Sequence, residues 1–168
     1  MTQHATTTLE AAVLNHATPA RRLAMPLKIA SWVAQVAAAF ILGQTLFFKL
    51  TAAPETVALF QVVAGDANGK AMMYATALGE LTAVVLILIP RTAAIGGLMV
   101  MGVMTGAIGA HFATNLGISI DPVALGKPEL EPLTGPSLFV MGVVAWLAGA
   151  AVAVIRRKQL PVVGKWMP

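Results

Sequence analysis

The sequence predicts an all-α integral membrane protein, a bundle of four transmembrane helices, and two observations carry that prediction. Hydrophobic residues make up 58% of the 168 residues and charged residues only 11%, whereas a soluble domain carries about 25% charged residues. So few charges cannot cover a surface in water, which excludes a soluble enzyme, a disordered chain and a nucleic-acid-binding module. Four apolar segments of about 20 residues can each cross a bilayer, and their length indicates helices rather than the short strands of a barrel.

Prolines and short polar segments set the limits of the four predicted spans. Pro54 and Pro90 favour a break after the first and second spans, and Pro136 is well placed to begin the fourth. The predicted spans are residues 29–53, 71–89, 92–112 and 136–155. We expect them to form one bundle over residues 28–158, between a flexible tail at 1–27 and a short tail at 159–168.

The segments between the spans also differ in character. The turn at Pro90-Arg91 is very tight, so the second and third spans should be antiparallel neighbours. Residues 55–60 are predicted to form a short helix at the membrane interface. The proline-rich segment 113–135 is longer than a minimal connection, and loops of this kind often serve as functional lids.

The basic residues predict the orientation of the bundle. Eight of the eleven Lys and Arg residues lie on one side of the predicted spans and three on the other. The richer side is cytoplasmic by the positive-inside rule, so both termini should be cytoplasmic, and the net charge of +4 needs no nucleic acid to explain it. The eight are Arg21, Arg22, Lys28, Arg91, Arg156, Arg157, Lys158 and Lys165, and the three are Lys49, Lys70 and Lys127.

Glu80, near the middle of the second span, is the most informative residue. A carboxylate at mid-membrane costs about 2.5–3.5 kcal/mol, and the Leu, Ile and Val residues of that span return about 2.4–4.8 kcal/mol. This near balance predicts that Glu80 faces the bundle interior, either protonated or paired with a cation. We expect Lys49, near the end of the first span, to pair with it. The alternative is that Lys49 extends to the interface while Glu80 stays neutral.

Further polar residues of the spans extend this candidate cluster. Gln35, Thr45 and Lys49 share one helical stripe, and Thr76 and Glu80 share another. His111 closes the third span on the same side, as an interfacial anchor, a member of the cluster, or a metal or haem ligand. We expect no metal site, because the chain has no cysteine and cannot supply two membrane histidines to one haem. The supporting polar residues are Gln35, Gln44, Thr45 and Thr76.

Small residues predict where the helices approach one another. Gly102 and Gly106 form a G-x-x-x-G pair, and Gly142 and Gly149 lie on a small stripe of the fourth span. Such residues allow close contact between helices in a membrane. Packing within the bundle is the favoured interpretation for these small residues, and contact between copies in a homo-oligomer is the alternative.

The motifs in order along the chain resemble the DoxX-like proteins of the DoxX/DoxD superfamily, over about residues 35 to 161. The resemblance implies a four-helix bundle in the bacterial inner membrane, with Lys49, Glu80 and His111 at the family's polar positions. The wider family includes subunits associated with thiosulfate:quinone oxidoreduction and with oxidative-stress complexes. A related group uses paired cysteines, which this chain lacks. The similar motifs are Phe47-Phe48-Lys49-Leu50-Thr51 with Pro54, Gly79-Glu80-Leu81, Leu88-Ile89-Pro90-Arg91, Gly106-Ala107-Ile108 with His111, and Arg156-Arg157 with Leu160-Pro161.

Three functions remain open at this point. The first is a redox-associated subunit that binds quinone or a partner oxidoreductase through the polar cluster. The second is a non-catalytic scaffold in which Lys49 and Glu80 form a structural lock, and the third is a permease for a small solute or protons. The sequence leaves open whether the protein is an enzyme.

Overall fold

A computed structural model describes residues 25–160 of the chain. Helices contain 81% of these residues, and the described part has no strand, only an isolated antiparallel bridge between Ile120 and Gly135. Four of the helices are long and apolar enough to cross a membrane, so the chain is a multi-pass membrane protein with the predicted all-α architecture. These four are α1 (Met25–Leu50), α3 (Gly69–Leu88), α4 (Ala93–Ala113) and α6 (Ser137–Ile155).

Shorter helices connect the spans at one end of the bundle. They are α2 (Pro54–Ala64), α5 (Pro122–Leu125) and a 3₁₀ segment at Pro128–Leu133, and a second 3₁₀ turn at Arg157–Gln159 follows α6. The predicted interfacial helix at 55–60 therefore forms the first part of α2. Asp121 caps α5, since its carboxylate accepts hydrogen bonds from the backbone N–H groups of Val123 and Ala124.

The boundaries of the first span differ from those expected. Helix α1 covers Met25–Leu50 of the described residues, so it extends ahead of the expected residue 29 and ends at Leu50 rather than at residue 53. Ala52 then takes a left-handed conformation with φ +49°, which ends the helix before Pro54 starts α2. Most of the two predicted tails (1–24 and 161–168) lies outside the described residues, while residues 25–27 belong to α1.

The four long helices form a closed ring in cross-section. Helix α1 packs against α3 and α6, α4 packs against the same two helices, and α1 and α4 face each other diagonally. The turn after α3 makes α3 and α4 the expected antiparallel neighbours. Small and branched apolar side chains fill the centre: Ala38, Leu42, Ala83, Ile87, Ala93, Val100, Met104, Ala145 and Val152.

Close contact between helices depends on glycines other than those expected on α4. A Cβ built at Gly97 would lie 2.6 Å from the Gly149 carbonyl oxygen of α6, and one built at Gly96 would lie 2.2 Å from the Ile87 backbone nitrogen of α3. Only glycine allows backbones to approach this closely. Gly149 thus packs where the sequence suggested. Gly142 makes a looser contact, since its Cβ would lie 3.5 Å from the Ile108 side chain.

Gly102 and Gly106 require a correction. Both are exposed, and no atom outside the neighbouring backbone lies within 4 Å of a Cβ built at either position. They therefore hold no other helix of the bundle, and Gly96 and Gly97 provide the close approach of α4 instead. The physical reason is that both glycines lie on the face of α4 that is turned away from the bundle. At about 100° per residue, they are about 140–180° around the helix from the buried His111.

Helix α2 and the segment between α4 and α6 form a cap over one end of the bundle. Ala58 of α2 packs with Ile120 and Leu130 in a small apolar core of its own. The Lys127 ammonium also donates hydrogen bonds to Gln61 and Asp66 at 3.2 and 3.3 Å. The proline-rich segment is therefore a folded cover rather than an open loop.

Candidate ligand-binding site

The structure brings the two central charges of the spans into contact. Lys49, on the last turn of α1, donates a hydrogen bond from its ammonium to Oε1 of Glu80 on α3. Glu80 is 2% exposed and Lys49 is 8% exposed. A buried ion pair of this kind needs further hydrogen bonds to offset the removal of both charges from water.

Two neighbours of the pair supply that support. The Thr45 hydroxyl lies 3.2 Å from Oε2 of Glu80 and 2.9 Å from the Leu42 carbonyl oxygen, so its single proton can serve either acceptor. The Lys49 ammonium lies 5.4 Å from the centre of the Phe60 ring, on α2, which favours the cation through the negative face of the ring. The cap thus helps to hold the charge of Lys49.

His111 lies in the same region but does not bond to the ion pair. Its Nδ1 lies 2.6 Å from the Gly117 carbonyl oxygen, which fixes this nitrogen as the donor. The ring also packs edge-on against Phe139 of α6, with centroids 5.3 Å apart. His111 is 6% exposed, and in residues 25–160 its Nε2 has no hydrogen-bond partner. In the neutral form of the ring, Nε2 is a free acceptor.

A cavity of about 720 Å³ connects these groups. Lys49, Glu80 and His111 all line it, together with Thr45 and Thr76, and most of the remaining lining is apolar. This volume lies within the range of small-molecule sites, which are mostly apolar with a few placed polar groups. The apolar lining comes from every element around it, for example Ile41, Leu59, Phe60, Val103, Ile108 and Phe139.

The cap contributes lining residues that the sequence did not single out. Glu55 and Phe60 of α2 reach the cavity, as do Leu116 and Leu133 of the segment before α6. Glu55 and Phe60 both belong to the short helix predicted at residues 55–60, but no sequence pattern placed either of them at the cavity. The contribution of the others depends on how the cap folds back over the bundle.

Two of the expected supporting residues lie away from the cavity. Gln44 is exposed on the outer face of α1 and does not line this cavity, because it is about 100° from Thr45 around the helix. Gln35 is buried, but it lies near the opposite end of the bundle, where its amide donates to the Ser31 hydroxyl at 2.7 Å. Of the four supporting residues, Thr45 and Thr76 belong to the site.

Gln35 belongs to a second polar cluster, which sequence reasoning missed. Nε of Arg156 donates to the Ser31 hydroxyl at 2.7 Å, and a terminal nitrogen donates to the Pro90 carbonyl oxygen at 3.1 Å. Gln159 donates to the same carbonyl at 2.6 Å. Arg156 is 7% exposed, and burial lowers the pKa of its guanidinium from the usual value. The signal was the i, i+4 spacing of Ser31 and Gln35 on the polar stripe of α1.

Within residues 25–160, no group of three or more His, Asp and Glu side chains is arranged to hold a metal ion. The polar side chains of the cavity are a primary ammonium, two carboxylates, three hydroxyls and an imidazole, and they belong to Lys49, Glu55, Glu80, Thr45, Thr56, Thr76 and His111. Such a set donates and accepts hydrogen bonds and can carry protons.

Comparisons with protein-family models, with curated proteins and with solved structures find no match for this chain. What defines the chain is therefore its architecture and its site: a four-span helical membrane protein with a buried ion pair in the wall of a capped apolar cavity. The resemblance to the DoxX-like proteins stays a prediction.

Proposed function

We propose that this chain is a DoxX-like membrane subunit that binds a quinone-type ligand beside a partner oxidoreductase. The observation that carries the proposal is that the buried Lys49–Glu80 pair lines an apolar cavity of ligand size. A charge pair that served only to join two helices would be best surrounded by close packing. Here both charged groups border space that an apolar, carbonyl-bearing molecule fits.

The hydrogen-bonding capacity of the site matches a quinone. The Lys49 ammonium has three N–H donors, and Glu80 takes one of them. The remaining donors are available to a ligand carbonyl. His111 complements them, because its Nδ1 is committed to Gly117 and its Nε2 can accept a hydrogen bond from a hydroxyl of the reduced ligand. A carbonyl of the oxidised ligand thus accepts from Lys49, and a hydroxyl of the reduced ligand can donate to His111.

Quinone reduction takes up two electrons and two protons. Glu80 and His111 are the groups of the cavity suited to move protons, with Thr45 beside Glu80. The sequence has no cysteine and no second histidine within the spans. Electrons therefore come from a partner oxidoreductase in this proposal, and the chain supplies the ligand site and the proton transfer.

The scaffold alternative also has an observation in its favour, since the ion pair joins α1 to α3. The permease alternative has less support. A closely packed apolar core that includes Leu42, Ile87 and Val100 separates the cavity from the polar cluster around Arg156. In this arrangement the spans offer no continuous polar path between the two ends.

The proposal is tested by native mass spectrometry of the full-length protein, gently purified in mild detergent. We expect co-purified quinone on the wild-type protein and its loss from the double variant K49M/E80L. That variant removes both charges together, so it should stay folded. The matched control is Q44L, which changes a polar residue of α1 outside the cavity and should retain quinone. Repeated absence of quinone from the wild-type protein, or equal retention by the double variant, contradicts the proposal.

The orientation is part of the same proposal. The end of the bundle that carries Lys28, Arg91 and Arg157 is richer in basic residues than the end that carries Lys70 and Lys127, which supports cytoplasmic termini in a bacterial inner membrane. Because the chain has no cysteine, single cysteines can report the topology. K158C should react with an impermeant maleimide only in opened cells, and K70C should react in intact spheroplasts. The reverse pattern contradicts the orientation.

A further inference from the structure

The cavity reaches a face of α4 that points away from the bundle. Gly102 and Gly106 line the cavity, yet both are exposed and lie about 140–180° around the helix from His111. One space thus touches nearly opposite sides of a single helix. It can do so only by passing around α4.

The lining residues identify the side on which it passes. Ala110, Val103 and Ala107 line the cavity and occupy the arc between Gly106 and His111. This is the α3 side, because a Cβ built at Gly79 of α3 would lie 3.7 Å from the Val103 side chain. The passage therefore leaves the bundle between α3 and α4.

Small residues border this passage on both helices. Ala75 and Gly79 of α3 line it at i, i+4 spacing, and Gly102 and Gly106 of α4 do the same. A Cβ at Gly102 or Gly106 would meet no atom within 4 Å, so these glycines are not needed for packing. Their lack of a side chain keeps the passage wide.

Other elements lie over two further sides of the cavity. Leu59 and Val63 of α2 and Pro132 and Leu133 of the segment before α6 line its capped end. The apolar core closes the opposite end. The passage between α3 and α4 lies within the spanning segments of both helices and faces hydrocarbon.

Polar groups at the inner end indicate what the passage serves. Lys49 and His111 are both more than nine-tenths buried and line the same space. His111 Nε2 has no hydrogen-bond partner within residues 25–160, and Lys49 has donors beyond the one given to Glu80. An occupant that satisfies both ends has a polar head and an apolar tail.

We infer that the gap between α3 and α4, bordered by Gly102 and Gly106, is a lateral portal through which a long-tailed amphiphile enters from the bilayer. Its head reaches Lys49, Glu80 and His111, and its tail lies across the glycines and extends into the lipid. The inference rests on the proposed function and adds the tail and the route of entry to it.

The test compares two probes on full-length protein in lipid nanodiscs: a benzoquinone with a long isoprenoid tail and the same benzoquinone without a tail. G102L and G106L place side chains in the portal, and we expect each to weaken binding of the tailed probe by about tenfold or more. Binding of the tailless probe should change little. Leucine also has a higher helix propensity than glycine, so loss of α4 does not explain the effect.

G109L is the matched control, because Gly109 is an exposed glycine on nearly the same face of α4, with no atom within 4 Å of its Cβ, and it does not line the cavity. We expect it to bind both probes as the wild type does. Unchanged binding of the tailed probe by G102L and G106L, or an equal loss in G109L, overturns the portal and leaves the site. A dimer that G102L and G106L dissociate also overturns it.

Failure of the proposed function gives a different result. In that case neither probe binds the wild-type protein, and this result contradicts both the proposed function and the portal for this ligand class. Binding of both probes to the wild type, with the tailed one insensitive to G102L and G106L, contradicts the portal alone.

Discussion

Each end of the bundle buries one basic side chain, and the two side chains differ in their partners and in the space around them. Lys49 is paired with Glu80 and lines a cavity, with donors left over. Arg156 donates to the Ser31 hydroxyl and the Pro90 carbonyl oxygen and is not among the residues that line that cavity. The packing of the α4 glycines also differs between the two ends. Gly97 brings two backbones together near Arg156, whereas Gly106 borders open space on the side of Lys49.

This difference shows how a ligand-binding site can be distinguished from a purely structural contact. A buried cation that donates to fixed oxygens on several elements holds those elements together, as Arg156 does for α1, α6 and the turn after α3. A buried ion pair beside an unpartnered imidazole nitrogen and a ligand-sized space is suited to binding. Burial alone does not distinguish the two, since Lys49 and Arg156 are almost equally covered.

The largest expected effect comes from breaking the ion pair on one side only. Glu80→Leu leaves the Lys49 ammonium buried without its partner, which should cost about 3–5 kcal/mol of unfolding free energy. The measurement is denaturant unfolding in mild detergent. K49M/E80L should recover most of the loss because no uncompensated charge remains. A double variant as unstable as E80L would mean that the pair is not the source of the effect.

A smaller loss is expected at the opposite end. Arg156→Leu removes charged hydrogen bonds to Ser31 and Pro90 and should cost about 1.5–3 kcal/mol in the same unfolding experiment. Quinone retention should be unchanged, because Arg156 is remote from the cavity. Arg157→Leu is the control, since Arg157 is exposed and its replacement should shift stability by no more than about 0.5 kcal/mol. Loss of quinone from R156L would remove the distinction between the two ends.

The glycines of α4 allow the two ends to be compared by the stability change that an added methyl group causes. Gly97→Ala puts a methyl group 2.6 Å from the Gly149 carbonyl oxygen and should destabilise the protein by about 1–3 kcal/mol. Gly102→Ala enters open space and should be neutral or stabilising by up to about 1 kcal/mol, as expected for alanine in a helix. Thermal unfolding of the two variants side by side tests this. Equal destabilisation by both would show that Gly102 also packs against another helix.

The smallest effect is expected on the cap. Lys127→Met removes a partly exposed contact with Asp66 at 3.3 Å and a hydrogen bond to Gln61, and should cost less than about 1 kcal/mol. The difference from the wild type should shrink further at high salt, because exposed charges are screened. A loss comparable to that of E80L would indicate that the cap is held by this contact rather than by its apolar core.

Much of the site follows from the sequence because hydrocarbon makes each polar residue informative. Exposing Glu80 to lipid costs free energy, and Lys49 is the cation within reach of it. The sequence therefore predicts that the two residues pair inside the bundle. Thr45 shares the stripe of Lys49 and was expected beside it. Gln35 lies on that stripe too, but it is almost four helical turns from Lys49 (at about 3.6 residues per turn), so it joins Arg156 instead.

Other features did not follow from spacing. A G-x-x-x-G pair allows close packing but does not specify which glycines a neighbour approaches, and Gly96 and Gly97 take that role on α4. Gln44 is adjacent to Thr45 but lies about 100° from it around α1, outside the cavity. The contributions of Phe60 and Leu133 depend on the cap, whose fold is set by contacts between segments far apart in the chain.

The sequence by itself determined that the protein is a bundle of four long apolar helices with one acid too costly to leave in lipid. Hydropathy and charge are properties of single residues, and the bilayer limits the backbone to a few solutions. The tertiary structure decided the cavity, the cap over it and the side of α4 on which it opens. Those features are spaces between elements, and they depend on which surfaces meet and which do not.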